Sequence, residues 1–274
     1  MFLNTFFRLF PLFPPTNCRK FAFPPPFPPQ WRQRRLNQVT MVKREIISRD
    51  EVMRLIDELV RLLTPRQRDE LQRQLHIVKY TKNQVIYSEG DVPAHLMCLV
   101  SGKAKIYKEG IGGRSQIVRV VKPGEYFAYR AYFANENYVT AAAAFETSVV
   151  CLLPMPLIYT WMKQDVDLAL FFVRQLSRDL GQSDQRTVSL TQKHIRGRLA
   201  EALLLLKANY GTENDGATLS IRLSREDLAS LSNMTSSNAI RTLSAFAREG
   251  IITVDGRRIT LTDEPALQRI SHIG

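Results

Sequence analysis

Apolar positions along this chain change their spacing from one stretch to the next. From Arg49 to His76 they recur at helical intervals: Val52, Leu55, Ile56, Leu59, Val60 and Leu63. Thr64-Pro65 is then placed to restart a helix with proline in its first turn. From about residue 77 to residue 153 the pattern shortens to strand-length runs. Val85-Ile86-Tyr87 precede Ser88-Glu89-Gly90-Asp91, and His95 to Val100 precede Ser101-Gly102. Ala104 to Tyr107 run into Gly110-Ile111-Gly112-Gly113, and Ile117 to Val121 precede Lys122-Pro123-Gly124. Short strands at this spacing, joined by glycine-bearing turns, predict a sandwich, barrel or jelly roll. After Pro154 and Pro156, residues 157 to 192 read as helix. Phe172, Leu176 and Leu180 recur every four residues there, a seam suited to pairing with another helix. Beyond Leu180 the seam turns polar at Ser183, Asp184 and Thr187, which ends any leucine-zipper reading.

The C-terminal third carries the sharpest pattern. Ser224 followed by Asp227 starts a helix, with the hydroxyl taking an orphan N–H and the carboxylate at the positive dipole end. Leu228 and Leu231 form its inner face, and Asn233 tolerates a left-handed turn. Thr235 caps a second helix whose buried stripe is Ala239, Leu243 and Phe246, and Gly250 ends it. At 100° per residue, Ser237, Asn238 and Arg241 face away from that stripe. They are short donors and acceptors plus one guanidinium fork, groups able to address base edges in a major groove. Ile251 to Val254, an Asp255-Gly256 turn and Arg258 to Leu261 then predict a hairpin tipped with Arg257 and Arg258. Helix, turn, helix and basic hairpin make a winged helix-turn-helix. An ordinary helical pair with a solvated cap is the alternative.

This stretch resembles the DNA-binding domain of the Crp/Fnr transcription regulators, and Gly197 to Leu204 is similar to the helix that leads into it. The resemblance covers roughly residues 60 to 272. It implies an α+β fold: a cyclic-nucleotide-binding-like β-roll (jelly roll) over 41–163, a long dimerisation helix over 164–192 and the winged helix-turn-helix over 193–274. It also implies a homodimer on a palindromic operator, with double-stranded DNA and RNA polymerase as partners. Carried over by position, Ser236, Ser237, Asn238 and Arg241 are the base-contacting candidates, with Arg241 forking onto guanine. Ser224, Arg225, Thr235, Arg257 and Arg258 are the phosphate-contacting ones. His194, Arg196 and Arg198 approach phosphates or form a solvated face.

The sensor half departs from the cyclic-AMP branch of that family. Where the branch has a Gly-Glu pair this chain has Ala128-Tyr129, and Val139-Thr140 replaces Arg-Ser. Without a cation at Val139 a buried phosphate lacks its main charge-assisted partner, unless Arg130 reaches it from another direction. Cyclic AMP is therefore not the expected effector, and the effector stays unassigned. Its expected pocket residues are Tyr126, Tyr129, Arg130, Val139 and Thr140. The aromatic cluster Tyr126, Phe127, Tyr129, Tyr132 and Phe133 either lines that pocket or packs against the next helix. Three scattered cysteines do not supply an iron–sulfur ligand set. His76, His95, Cys98 and Cys151 leave a haem-type sensor as a minor alternative.

Composition changes this picture little. The 274 residues carry a net charge of +12, and half of it sits in residues 1–40, which contain six basic residues and no acidic one. The same segment holds eight of the fourteen prolines and eight of the fourteen phenylalanines. Disorder is expected there; either Met41 is the true start or the segment is a basic tail for DNA or membrane. Cys18, Cys98 and Cys151 imply neither a disulfide framework nor a zinc site, in keeping with a reducing cytoplasm. No apolar run approaches membrane-spanning length. Nor is there a phosphate loop, a nucleophile elbow, an HExxH or a metal-spaced cluster. The chain reads as a transcription regulator rather than an enzyme, metal-free and without a resident cofactor. A cyclic-nucleotide-binding module responding to cyclic AMP is the alternative.

Overall fold

The computed structural model describes residues 47–110 and 113–273. The expectations for the N-terminal segment lie outside the described residues. Three short helices lead: α1 (Arg49–Leu55), α2 (Asp57–Val60) and α3 (Pro65–Gln74). Ser48 and Glu51 close a capping box on α1, and Thr64 and Gln67 close another ahead of Pro65. Leu75 leaves the helical region at ψ 143°, so His76 opens a strand instead of ending the helix.

Eight strands follow, with the short helix α4 (Arg130–Phe133) between the sixth and seventh: β1 (His76–Tyr80), β2 (Val85–Tyr87), β3 (His95–Ser101), β4 (Ala104–Glu109), β5 (Ser115–Val121), β6 (Tyr126–Phe127), β7 (Ala141–Ala144) and β8 (Ser148–Pro154). They form two antiparallel sheets, ordered β1-β8-β3-β6 and β2-β7-β4-β5. Val78, Leu99, Val121, Phe127 and Val150 share a buried cluster with β7 residues Ala142 and Ala144. Gly102 turns β3 into β4 at φ +85°, and a Cβ there would stand 2.6 Å from the Thr147 carbonyl oxygen.

A second cluster joins the other face of β3 and β8 (Leu96, Cys98, Cys151, Leu153) to Val52, Leu59 and Leu71 of the leading helices. Trp161 of α5 (Met155–Met162) and Phe171 and Phe172 of α6 (Val166–Gln192) complete it. The helix expected from 157 to 192 is thus two. Asp165 restarts the chain by accepting the N–H groups of Asp167 and Leu168 at 2.9 and 3.1 Å. The expected seam needs correction. Phe172 is 1% exposed and packs its ring on Tyr129 and Phe133, 5.8 and 5.4 Å away between centroids. Leu176 is half-buried against the same cluster. Only Leu180 of the three is open, at 63%. The free apolar stripe lies one position over, at Val166, Leu170, Val173 (54% exposed), Leu180 and Val188.

The rest is α7 (Ile195–Tyr210), α8 (Arg225–Leu231), α9 (Ser236–Arg248), the hairpin β9 (Ile252–Asp255) and β10 (Arg258–Leu261), and α10 (Glu264–Ile273). Their core of Leu199, Leu203, Leu228, Leu243, Phe246 and Ile259 also takes in Ile117, Val120 and Phe145 of the β-roll. The two halves therefore share one apolar cluster. Among the described residues no helix is long and apolar enough to cross a membrane.

Candidate nucleic-acid interface

Local chemistry sets the helix pair. The Ser224 hydroxyl accepts the Asp227 N–H at 3.0 Å and donates to the Asp227 carboxylate at 2.7 Å, which fixes the start of α8. Asn233 takes φ +50° in the turn, and the Thr235 hydroxyl accepts the Asn238 N–H at 3.2 Å to begin α9. Ala239, Leu243 and Phe246 are buried, as is Thr242 beside them. Ser236, Ser237 and Arg241 are exposed, while Asn238 is half-buried and its side-chain oxygen accepts from Arg241 at 2.5 Å. Ser244, Arg248 and Ile240 extend the exposed arc. The sequence alone gives no signal for Ile240, because an aliphatic residue beside an apolar stripe reads as core.

Several basic candidates have internal partners. The Arg225 guanidinium donates to the Gly256 carbonyl at 2.7 Å and ties α8 to the wing. Arg258 pairs with Glu213 at 2.5 Å, and Arg222 reaches the same carboxylate at 3.4 Å. Arg196 forks onto Glu249 at 2.8 and 2.6 Å, a hydrogen-bonded pairing that lowers the pKa of the acid and raises that of the base. Arg198 donates to the carbonyls of Leu190, Lys193, Ser232 and Asn233 at 3.1–3.2 Å, clasping the helix-turn-helix turn to the α6–α7 junction. Arg225, Arg258, Arg196 and Arg198 therefore each hold an internal partner in this structure. The hairpin loop proper is Gly256-Arg257, since Asp255 pairs with Arg258 across it. Gly256 takes φ +54°, and Arg257 is left exposed at the tip. Arg257 borders a polar cleft of about 380 Å³ with Arg222, Lys105 and Lys82 of the β1–β2 turn, cations that the sequence alone did not bring together and that share the cleft with the carboxylates of Glu226 and Asp227.

The helix pair is held to the β-roll along the free edge of β5. Ser230 accepts the Ile117 N–H at 2.9 Å and donates to the Ser115 carbonyl at 2.6 Å. Arg186 of α6 donates to the carbonyls of Ile117 and Leu231 at 2.6 and 2.8 Å. Lys105 of β4 pairs with Asp227.

The expected effector residues do not converge on a pocket. Tyr126 is buried edge-on against Phe171, 5.7 Å between centroids. Tyr129 is buried too, and its hydroxyl donates to Asp179 of α6 at 2.9 Å. Arg119 donates to the same carboxylate at 3.1 Å. Burial and the Asp179 charge push the Tyr129 pKa up. Arg130 is exposed and paired with Glu136 at 2.7 Å, and Val139 is exposed. Ala128 occupies φ +69°, keeping a backbone shape that glycine takes without strain. Tyr126, Tyr129 and Phe133 thus pack on α6, Tyr132 packs on Tyr159 of α5, Phe127 lies in the β-roll core, and the carboxylate of Asp179 sits where Tyr129 reaches. Cys98 and Cys151 face each other across β3 and β8, both buried, with thiol pKa values raised by burial, Cys151 to about 12. Among the described residues no group of three or more His, Cys, Asp or Glu is placed to hold a metal ion.

Comparison with known proteins agrees with this arrangement. A cyclic nucleotide-binding domain family matches residues 77–165, and a Crp-like helix-turn-helix domain family matches residues 197–270. The chain is 24% identical over 200 residues to the CRP-like cAMP-activated global transcriptional regulator of Mycobacterium tuberculosis, covering 73% of this chain and 89% of that protein. It is 28% identical over 203 residues to the transcriptional regulatory protein btr of Bordetella pertussis, covering 74% and 83%. In fold it is similar to FixK2 from Bradyrhizobium japonicum, with a TM-score of 0.65 at 23% identity over 72% of this chain and 96% of that one. The two matches fall in turn on the β-roll and on the winged helix-turn-helix, with the long helix α6 between them. The chain belongs to the Crp/Fnr family of DNA-binding transcription regulators.

Proposed function

We propose that two copies of this chain pair along α6 and present their α9 helices to one two-fold-symmetric operator, one helical turn or about 34 Å apart. The observation that carries the reading is the pair of unsatisfied surfaces on those helices. On α6, positions 166, 170, 173 and 180 are spaced by four, three and seven residues. Val166, Leu170, Val173 and Leu180 stand there, and all are exposed. That is the spacing of a helix-pairing stripe, and a second copy offers the matching surface. On α9, the face opposite the buried stripe carries Ser237, Arg241, Ser244 and Arg248, polar or basic, with Ile240 among them. RNA polymerase as a partner and the cytoplasm as location follow from the same reading.

The sensor half works without cyclic AMP in this proposal. The Tyr129 hydroxyl and Arg119 both donate to the Asp179 carboxylate between the β-roll and the pairing helix, and Val139 offers no charge for a phosphate. Any effector is of another chemistry.

Retardation of promoter DNA by the purified protein tests the core claim, repeated at several salt concentrations. Arg241→Ala should cost roughly 1–3 kcal/mol on the cognate site and relax one base pair. Arg257→Ala should weaken binding to all sequences and flatten the salt slope by about one unit. Equal losses on cognate and random DNA for both variants would refute the roles.

A further inference from the structure

Ile240 is 48% exposed on a helix whose other large apolar residues, Leu243 and Phe246, face inward. It belongs to none of the three buried clusters, and Ala239, Thr242, Leu243 and Phe246 fill the positions that pack against the domain. At 3.6 residues per turn it stands about 60° to one side of Ser237, with Arg241 about 40° to the other. Its neighbours on the exposed face are Ser237 three residues before and Ser244 four residues after. A β-branched residue there contributes nothing to helix propensity and leaves aliphatic carbon in water. Arg241 is drawn toward the helix start by its bond to Asn238, which leaves the side of the arc at Ile240 to the aliphatic group.

A major groove offers one apolar feature on its floor, the 5-methyl group of thymine. We propose that Ile240 is a specificity-determining residue that packs on a thymine methyl next to the guanine addressed by Arg241. The operator half-site then contains a thymine adjacent to that guanine, selected by contact with carbon and not by a hydrogen bond. The assignment rests on α9 being the groove-reading helix.

The test uses the full chain. A duplex is first enriched from a random pool, and each thymine is then replaced singly by deoxyuridine, which removes only the methyl group. The wild type should lose about fourfold in affinity per half-site at one thymine, about the worth of one buried methyl-sized group. That thymine should neighbour the guanine whose replacement Arg241→Ala no longer feels. Ile240→Ala, at an exposed helical site that alanine suits, should bind thymine and uracil duplexes equally. Ile240→Val should keep part of the difference. An enriched duplex in which no thymine methyl matters, or one whose uracil penalty persists in Ile240→Ala, overturns the inference and leaves DNA reading by α9 intact. Failure to enrich any duplex overturns both.

Discussion

Replacing Arg198 by alanine separates a strut from a phosphate ligand. The guanidinium is half-buried and donates to four backbone carbonyls, two before α7 and two in the turn between α8 and α9. A net contribution near 1 kcal/mol per bond, reduced because solvent and neighbouring carbonyls take up part of each loss, gives about 3 kcal/mol in all. For a folded unit of this size that lowers Tm by about 6–12 °C. Lysine should not rescue it, since a single ammonium cannot span carbonyls on both sides of the fork. Differential scanning calorimetry reads the melting, and DNA binding across a salt series reads the charge. The expected result is a large drop in Tm for Arg198→Ala and Arg198→Lys, with the slope of log affinity against log salt unchanged. An unchanged Tm together with a slope flattened by about one unit, rescued by lysine, would show that Arg198 reaches DNA and refute the strut.

Three further outcomes are expected. Val173→Asp places a charge in the exposed α6 stripe and should convert a sedimenting dimer to monomer with unchanged circular dichroism; a dimer that persists places the interface elsewhere. Tyr129→Phe keeps the ring packed but strips the bond to Asp179. It should lower stability by about 1 kcal/mol, while calorimetry of the wild type with cyclic AMP should show no binding heat; tight binding would overturn the sensor reading. The Asp215 carboxyl is held at about 2 by the Thr218 hydroxyl and by the N–H groups of Thr218 and Ala217. Its folded pKa is depressed, so the stability it contributes is present above the unfolded value near 4 and is lost as pH falls toward about 2. Asp215→Asn should flatten the acid limb of stability over that window, and an NMR titration midpoint near 4 in the wild type would contradict the bonding.

What could be read from the sequence was local. Ser224, Asn233 and Thr235 declare their roles within three residues, because a cap or a left-handed turn is settled by neighbours along the chain. Sequence spacing failed where the deciding partner lies far away. β7 is four alanines, poor strand formers, and becomes a strand because β2 and β4 pair with it on both sides. Phe172 and Val173 are adjacent on one apolar helix, and periodicity alone cannot say which faces the β-roll. The bulkier ring goes inward against Tyr129 and Phe133, which moves the open stripe by one residue. Arginines show the same limit most sharply. Arg225, Arg258 and Arg198 look alike in sequence to Arg241 and Arg257, but the fold returns to them carbonyls or a carboxylate 31, 45 and 34 residues away. Arg241 bonds within its own helical turn, to a side chain that moves with it, and such a pair can reopen onto a guanine without unfolding anything. Charge counted along the sequence therefore does not show which cations the fold has already partnered, because those partners lie far away in the chain.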